Sequence, residues 1–231
     1  MACKQSGSAA IPKIEVTCDG PYSVTGSVQL QEQIIVSDHA GTAIKWKAGR
    51  EIKAEGSYCL CRCGHSTEKP FCSGAHVEVA FDGTEKADRK PLLEQAEKVD
   101  GPALDLVDAP HLCASAGFCH RAEGIWDLVP KSGDARARQT AIEEAAACPS
   151  GRLIVTGKDG RSIEPEFKPS IGLVVEDPDQ GLSGPLWVRG NIPVVSADGT
   201  PYEVRNRVTL CRCGRSANKP FCDGSHAEPQ G

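Results

Sequence analysis

A mainly β fold with small helices (α+β) is what this sequence predicts, and three observations carry the prediction. Residues 11 to 58 place apolar side chains at alternate positions, as in Ile14/Val16, Val24/Val28/Leu30, Ile34 to Val36 and Ile44/Trp46, with Gly and Asp between the runs. That is the period of half-buried strands joined by turns. The 231 residues include 24 Gly and 16 Pro, and are only 39% hydrophobic and 5% aromatic, so the chain is rich in loops and its cores are thin. The third observation is a repeat. Cys61-Arg-Cys63-Gly-His-Ser66-Thr-Glu-Lys-Pro70-Phe-Cys72-Ser73-Gly74-Ala75-His76 returns as Cys211-Arg-Cys213-Gly-Arg-Ser216-Ala-Asn-Lys-Pro220-Phe-Cys222-Asp223-Gly224-Ser225-His226. Without gaps the two share 11 of 16 residues, including every cysteine and the final histidine.

The elements follow in order. After the early strands and the first cysteine segment, residues 77 to 98 turn polar, and Pro91 opens a short helix through Leu92, Leu93 and Ala96. Asp134 is placed to cap a helix over Ala-Arg-Ala-Arg-Gln-Thr-Ala-Ile-Glu-Glu-Ala-Ala-Ala, with Pro149 just past its end. Residues 156 to 184, rich in Gly, Pro and Asp, read as a long polar connection. Leu186 to Val195 and Tyr202 to Leu210 then read as strands leading into the second segment. The repeat extends upstream, because Gly20-Pro21 and Val24-Thr-Gly26 align with Gly184-Pro185 and Val188-Arg-Gly190. The expected units are 1–85, a central region 86–160 inserted between two copies, and 161–231.

Composition excludes several classes. A formal net charge of -5 disfavours nucleic acid as the main partner. No run of 18 apolar residues is present to span a membrane. Twelve cysteines would suit disulfides, but the opening MACKQSGSAAIPK lacks the apolar core of a secretory signal, so a cytoplasmic, reducing location is expected. No Ser/His/Asp set, Walker loop or Rossmann fingerprint is visible, so an enzyme is not expected.

In a reducing compartment, three soft thiolates and one imidazole at repeated spacing form a metal-site constellation. Cysteines one residue apart reach a single metal from one tight loop. Cys72 and His76 lie four apart, as do Cys222 and His226, so one helical turn puts each pair on a common face. Gly74 and Gly224 would let backbone approach an inorganic sulfide, and Pro70 and Pro220 fix the path into that turn.

This pattern, C-x-C-x2-S-x3-P-x-C-D-G-S-H, resembles the CDGSH iron–sulfur (NEET) family. The second copy matches throughout, and the first departs at Ser73. The resemblance implies two [2Fe–2S] clusters, with Cys61/Cys63 and Cys211/Cys213 on inner irons. It places Cys72/His76 and Cys222/His226 on outer, more exposed irons. Family members are homodimers intertwined through a β-rich cap, so this chain is expected to be a monomer whose halves form that pseudo-twofold arrangement internally. Three thiolates and a neutral imidazole leave an oxidised cluster at about -1, so its potential should exceed the roughly -400 mV of plant-type ferredoxins. An imidazole that leaves iron can be protonated, which links release to pH. Asp223 supplies a charged acceptor or helix cap where Ser73 is neutral. The second cluster is therefore predicted to be the more acid-labile or the lower in potential.

Cys113, Cys119 and the Cys148-Pro149 pair resemble a divergent single-cluster ferredoxin region, an α+β insertion. A cubane needs four ligands and three cysteines are present. His111 or His120 could supply the fourth, but a vestigial or packing role is the expectation. Cys18-Asp19-Gly20 reads as a turn, Cys59 as a non-ligand facing Thr209, and Cys3 as a tail thiol. Trp46, Trp126 and Trp187 read as core or interface aromatics. Arg62 and Arg212 would offset cluster charge or be solvated, and Lys69 and Lys219 would guide an acidic partner or be solvated. The expected function is electron transfer or cluster transfer to redox or cluster-acceptor proteins. The alternatives are a zinc- or iron-stapled interaction module, disfavoured because zinc motifs use C-x2-4-C pairs, and an oxidoreductase subunit.

Overall fold

The computed structural model describes residues 11–177 and 182–228, so Cys3 lies outside the described residues. The first half supplies β1 (Lys13–Val16), β2 (Tyr22–Thr25), β3 (Gln29–Ser37), β4 (Ala43–Ile52) and β5 (Tyr58–Leu60). The second half supplies β9 (Ser170–Asp177), β10 (Leu182–Arg189), β11 (Val194–Val195) and β12 (Arg207–Leu210). The predicted alternation is seen directly: β1 and β2 bury every second residue.

The halves repeat residue for residue. Tyr22 pairs with Leu60 and Val24 with Tyr58, while Leu186 pairs with Leu210 and Val188 with Val208. Ile14 pairs with Val24 and Val16 with Tyr22; their counterparts are Ile171 with Val188 and Leu173 with Leu186. Each half then lends a strand to the other. Ile14 of β1 lies parallel to Val194 of β11, and Ile171 of β9 lies parallel to Leu30 of β3. Leu30 and Val194 are themselves repeat equivalents, so the exchange is reciprocal, the hallmark of an isologous interface. At its centre Cys63 bridges Cys213 antiparallel, a position meeting its own counterpart. The result is a four-stranded sheet ordered β11-β1-β2-β5 and a five-stranded sheet ordered β12-β10-β9-β3-β4.

One core spans both sheets. Ile14, Val24, Leu30 and Leu60 are buried with their counterparts Ile171, Val188, Val194 and Leu210 in one cluster, each worth about 1.5–3 kcal/mol of transfer free energy. Two expectations are corrected here. The stretch 156 to 184 is not all connection, because Ile171, Leu173 and Val174 are buried in β9 at the middle of the larger sheet. Tyr202 to Leu210 is strand only from Arg207. The upstream part is held by side chains instead, with the Tyr202 hydroxyl donating to Glu85 Oε2 at 2.7 Å.

Between the halves lie α1 (Ala75–Glu78), α2 (Leu92–Gln95), β6 (Glu97–Asp100), β7 (Leu104–Asp108), α3 (Ile125–Leu128), α4 (Ala135–Ala147) and β8 (Leu153–Gly157). β6, β7 and β8 form a three-stranded antiparallel sheet. Asp134 caps α4 as predicted, accepting from Arg136 N and Ala137 N at 2.9 Å. Trp46 joins three parts of the chain: its ring meets Phe118 and Trp187 at 4.8 and 4.6 Å, and its Nε1 donates to Ala147 O. Trp126 Nε1 donates to Asp108.

α4 buries Glu144 completely, and neither of its carboxylate oxygens has a hydrogen-bond partner among the described residues. Burial pushes this carboxyl up to about 7 against some relief from Arg121. The folded state therefore holds the proton more tightly than the unfolded chain. Its contribution to stability is complete below about pH 4.5 and is lost as pH rises through about 7. Glu144→Gln is expected to stabilise the protein at pH 8 by roughly 1–2 kcal/mol and to leave stability at pH 4.5 unchanged, read from denaturant melts at both pH values.

Candidate metal centres

Each cysteine segment is a loop stapled to its own sheet. Cys61 N donates to Pro70 O at 2.8 Å and Cys72 N to Cys59 O at 3.0 Å. Their counterparts, Cys211 N to Pro220 O and Cys222 N to Thr209 O, both measure 2.9 Å. Inside each loop Ser66 and Ser216 donate to the carbonyls of Phe71 and Phe221, and accept from Glu68 N and Asn218 N. Gly74 and Gly224 adopt φ of 91 and 90°, a left-handed turn that starts the short helix bearing the histidine. A Cβ on Gly74 would meet open space, so its glycine serves the turn.

These loops bring the predicted residues together as two pairs per site. Cys61 and Cys63 Sγ are 3.8 Å apart, and Cys211 and Cys213 Sγ are 3.6 Å apart. Cys72 Sγ lies 3.4 Å from His76 Nδ1, and Cys222 Sγ lies 3.3 Å from His226 Nδ1. Two thiolates on one tetrahedral metal with bonds of about 2.3 Å stand about 3.8 Å apart. Among the described residues no three His, Cys, Asp or Glu converge on a single metal position. The donor set of each site is thus split into two ligand pairs.

The iron-binding zinc finger family of CDGSH type matches residues 19–77 and again 183–227, and the divergent 4Fe-4S mono-cluster family matches 99–158 between them. The chain carries two CDGSH-type iron-binding regions in tandem, flanking a divergent 4Fe-4S mono-cluster region. No curated protein and no solved structure matches it significantly. Among the described residues no helix is long and apolar enough to cross a membrane.

The two CDGSH sites differ in ways the spacing alone did not reveal. His226 Nε2 lies 2.5 Å from Glu176 Oε1 on β9, and its side chain is 4% exposed. A carboxylate on the far nitrogen fixes the ring so that Nδ1 faces Cys222. Asp19 stands at the equivalent point of the first half, but its carboxylate takes Gly83 N instead. Asp223 accepts Ala217 N, Ser225 N and Ser225 Oγ, whereas Ser73 accepts Thr67 N. The outer pair is also not uniformly open, as the resemblance implied. Cys72 and His76 are half-buried, but Cys222 is 2% exposed. The central region packs against the same turn: a Cβ on Gly224 would meet Ser115 Oγ at 2.4 Å and Cys113 O at 3.2 Å.

Burial pushes the Cys222 thiol up to about 12. Within the inner pair, Cys213 is drawn down by the hydrogen bond from Cys211, which is driven up in turn, so the two share a proton. Loading either site must release protons. Arg62 and Arg212 are not solvated. Arg62 is 1% exposed, bonds Thr17 O and Gly83 O, and lies over Tyr22 and Phe81. Arg212 bonds Gly184 O and Val174 O at 2.6 and 2.8 Å. Arg212 ties its cysteine loop to strand carbonyls and sets its positive charge near Cys61 and Cys213, while Arg62 ties its loop to the non-strand carbonyls of Thr17 and Gly83. Lys219 donates to Ser216 O, and Lys69 is exposed.

In the central region Cys113, Cys119 and Cys148 line one cavity with Arg152. Burial pushes Cys119 up to about 12, and Cys148 and Cys113 add to the rise. Neither histidine considered as a fourth ligand lines this cavity. His111 borders a different one, and the His120 ring lies 5.4 Å from that of Trp126. Cys18 sits exposed in the predicted turn.

Proposed function

We propose that this chain is a one-electron carrier and cluster donor holding two [2Fe–2S] clusters, each ligated by three cysteines and one histidine. The observation that carries the reading is the division of each donor set into a Cys/Cys pair and a Cys/His pair. A single zinc would gather all four donors around one point, whereas two irons bridged by sulfide take one pair each. A bound cluster of this kind supplies a one-electron couple and an iron whose imidazole can be displaced by a proton.

The protein's residues then divide the work. His76, half-buried and without a carboxylate on its ring, leaves the first site open to acid and to an acceptor protein. His226, its side chain buried and held by Glu176, keeps the second site closed for electron storage. Negative charge on Glu176 and Asp223 disfavours added electrons, so the second site is the lower in potential. The exchanged strands make the single chain a working unit, acting as a monomer without substrate turnover of its own.

Iron and acid-labile sulfide counted per chain test this. Four irons with equal sulfide and visible absorption bands are expected; a colourless protein holding zinc overturns the reading. Convergence of three central cysteines on one cavity favours a third cluster as well, with one corner lacking a cysteine or histidine from the lining. Iron well above four per chain, falling to four in Cys119→Ser, would establish it.

A further inference from the structure

A second, solvent-open cleft lies where three segments meet: residues 87–95, the His111–Leu112 turn, and the second CDGSH loop at Asn218 and Phe221. Its floor is apolar, made by the buried Leu92, Leu112, Tyr202 and Phe221. The Tyr202 and Phe221 rings meet edge to face at 5.1 Å. Its polar lining is unusual in what it leaves unpaired. Arg205 is half-buried with its guanidinium 5.2 Å from the Phe221 centroid. Its Nη1 is enclosed and has no hydrogen-bond partner. Lys90 and His111 also line the cavity, and neither side chain is hydrogen-bonded or ion-paired among the described residues. The nearby cation Arg89 is already held by Ser196 and Asp198.

The acids at this cavity are occupied. Asp88 Oδ1 takes Lys90 N at 2.9 Å, and Glu203 Oε2 takes Leu92 N at 2.8 Å. A buried guanidinium without a hydrogen-bonded counter-ion is costly, and the usual remedy is a carboxylate or phosphate presented to its fork. Burial draws Arg205 down to about 10, with only partial compensation from Glu203 and Cys148.

We propose that this cavity binds a small oxyanion, a carboxylate or phosphate group, held by Arg205 with Lys90 and His111 at the rim. The site also touches the second CDGSH loop, because Phe221 of its floor precedes Cys222, and Asn218 donates to His111 O. Negative charge seated there lowers the potential of the second cluster and leaves the first unchanged. That coupling rests on the proposed function; the binding itself does not.

The test is calorimetric titration of the full-length protein as isolated, with inorganic phosphate in one arm and succinate in another, at constant ionic strength set with sodium chloride. Saturable one-to-one binding in either arm is expected, and the stronger arm identifies the headgroup. Arg205→Gln should weaken it tenfold or more, and the exposed Lys90→Gln should weaken it severalfold without touching the fold. Binding absent from both arms, or undiminished in Arg205→Gln and Lys90→Gln alike, overturns the proposal. A redox titration with and without the bound anion reads the coupling separately. Binding without a shift retains the site and rejects its link to the second cluster.

Discussion

Replacing His76 by cysteine is expected to lower the first cluster's reduction potential by on the order of 200 mV and to flatten its response to pH. The exchange adds one negative charge to the ligand set, and substituting histidine for cysteine ligands spans several hundred millivolts among known two-iron centres. It also removes the proposed imidazole ligand, the kind of donor that a proton can displace, so decay of visible absorbance at pH 5.5 should slow to the rate at pH 7.5. His76 suits this test because it is half-buried and has no carboxylate partner among the described residues, so a thiolate there meets no like charge from them. The companion change, Glu176→Gln, should raise the second potential by on the order of 50–100 mV, the effect of one unit charge within several ångströms at an effective dielectric near 20. Potentials that stay put in His76→Cys would refute histidine ligation of the first site. Potentials unmoved in Glu176→Gln would remove this carboxylate from the control of the second.

Gly64→Ala and Gly214→Ala are expected to destabilise the fold by about 3 kcal/mol or more each, read as the midpoint of thermal or denaturant unfolding. Where Cys63 meets Cys213, each glycine sits against the opposite half. A Cβ on Gly64 would lie 2.6 Å from Cys213 O, and one on Gly214 would lie 2.6 Å from Cys63 O. Both have left-handed φ, 85 and 80°, which adds about 1–2 kcal/mol for any other residue. Neither contact is with a flexible side chain that could swing away. Gly74→Ala separates the two costs, because its φ is 91° but its Cβ meets nothing within 4 Å. It should lose only the conformational part. Equal losses at Gly64 and Gly74 would mean that the halves do not cross where the structure brings them together.

The grouping of the candidate donors was legible in the sequence because their spacing is local. Cys61, Cys63, Cys72 and His76 lie on one loop, and the period of a helical turn is enough to pair the last two. The identity of the strands was legible for the same reason, since burial of Ile14 and Val16 follows from alternation alone. What alternation cannot say is which neighbour a strand finds. Ile14 would be equally buried beside Leu30 of its own half, and only the folded chain places it beside Val194. β9 escaped notice because Ile171, Leu173 and Val174 are framed by Pro169 and the acidic Glu176-Asp177, so the surrounding composition reads as loop. Glu176 itself stands 50 residues from His226, and no spacing rule reaches that far. Nor could sequence show that Ser115 covers Gly224, a contact between two separate regions of the chain.

Two identical polypeptides related by a twofold axis must present the same amino acid on either side of it. A single polypeptide wrapped around that axis is free of this constraint, and here serine faces aspartate across it, at positions 73 and 223. Symmetry-breaking of this sort lets one half specialise while the other keeps its original duty. Covalent linkage also fixes the ratio of the two specialised halves at one to one, whatever the protein's concentration.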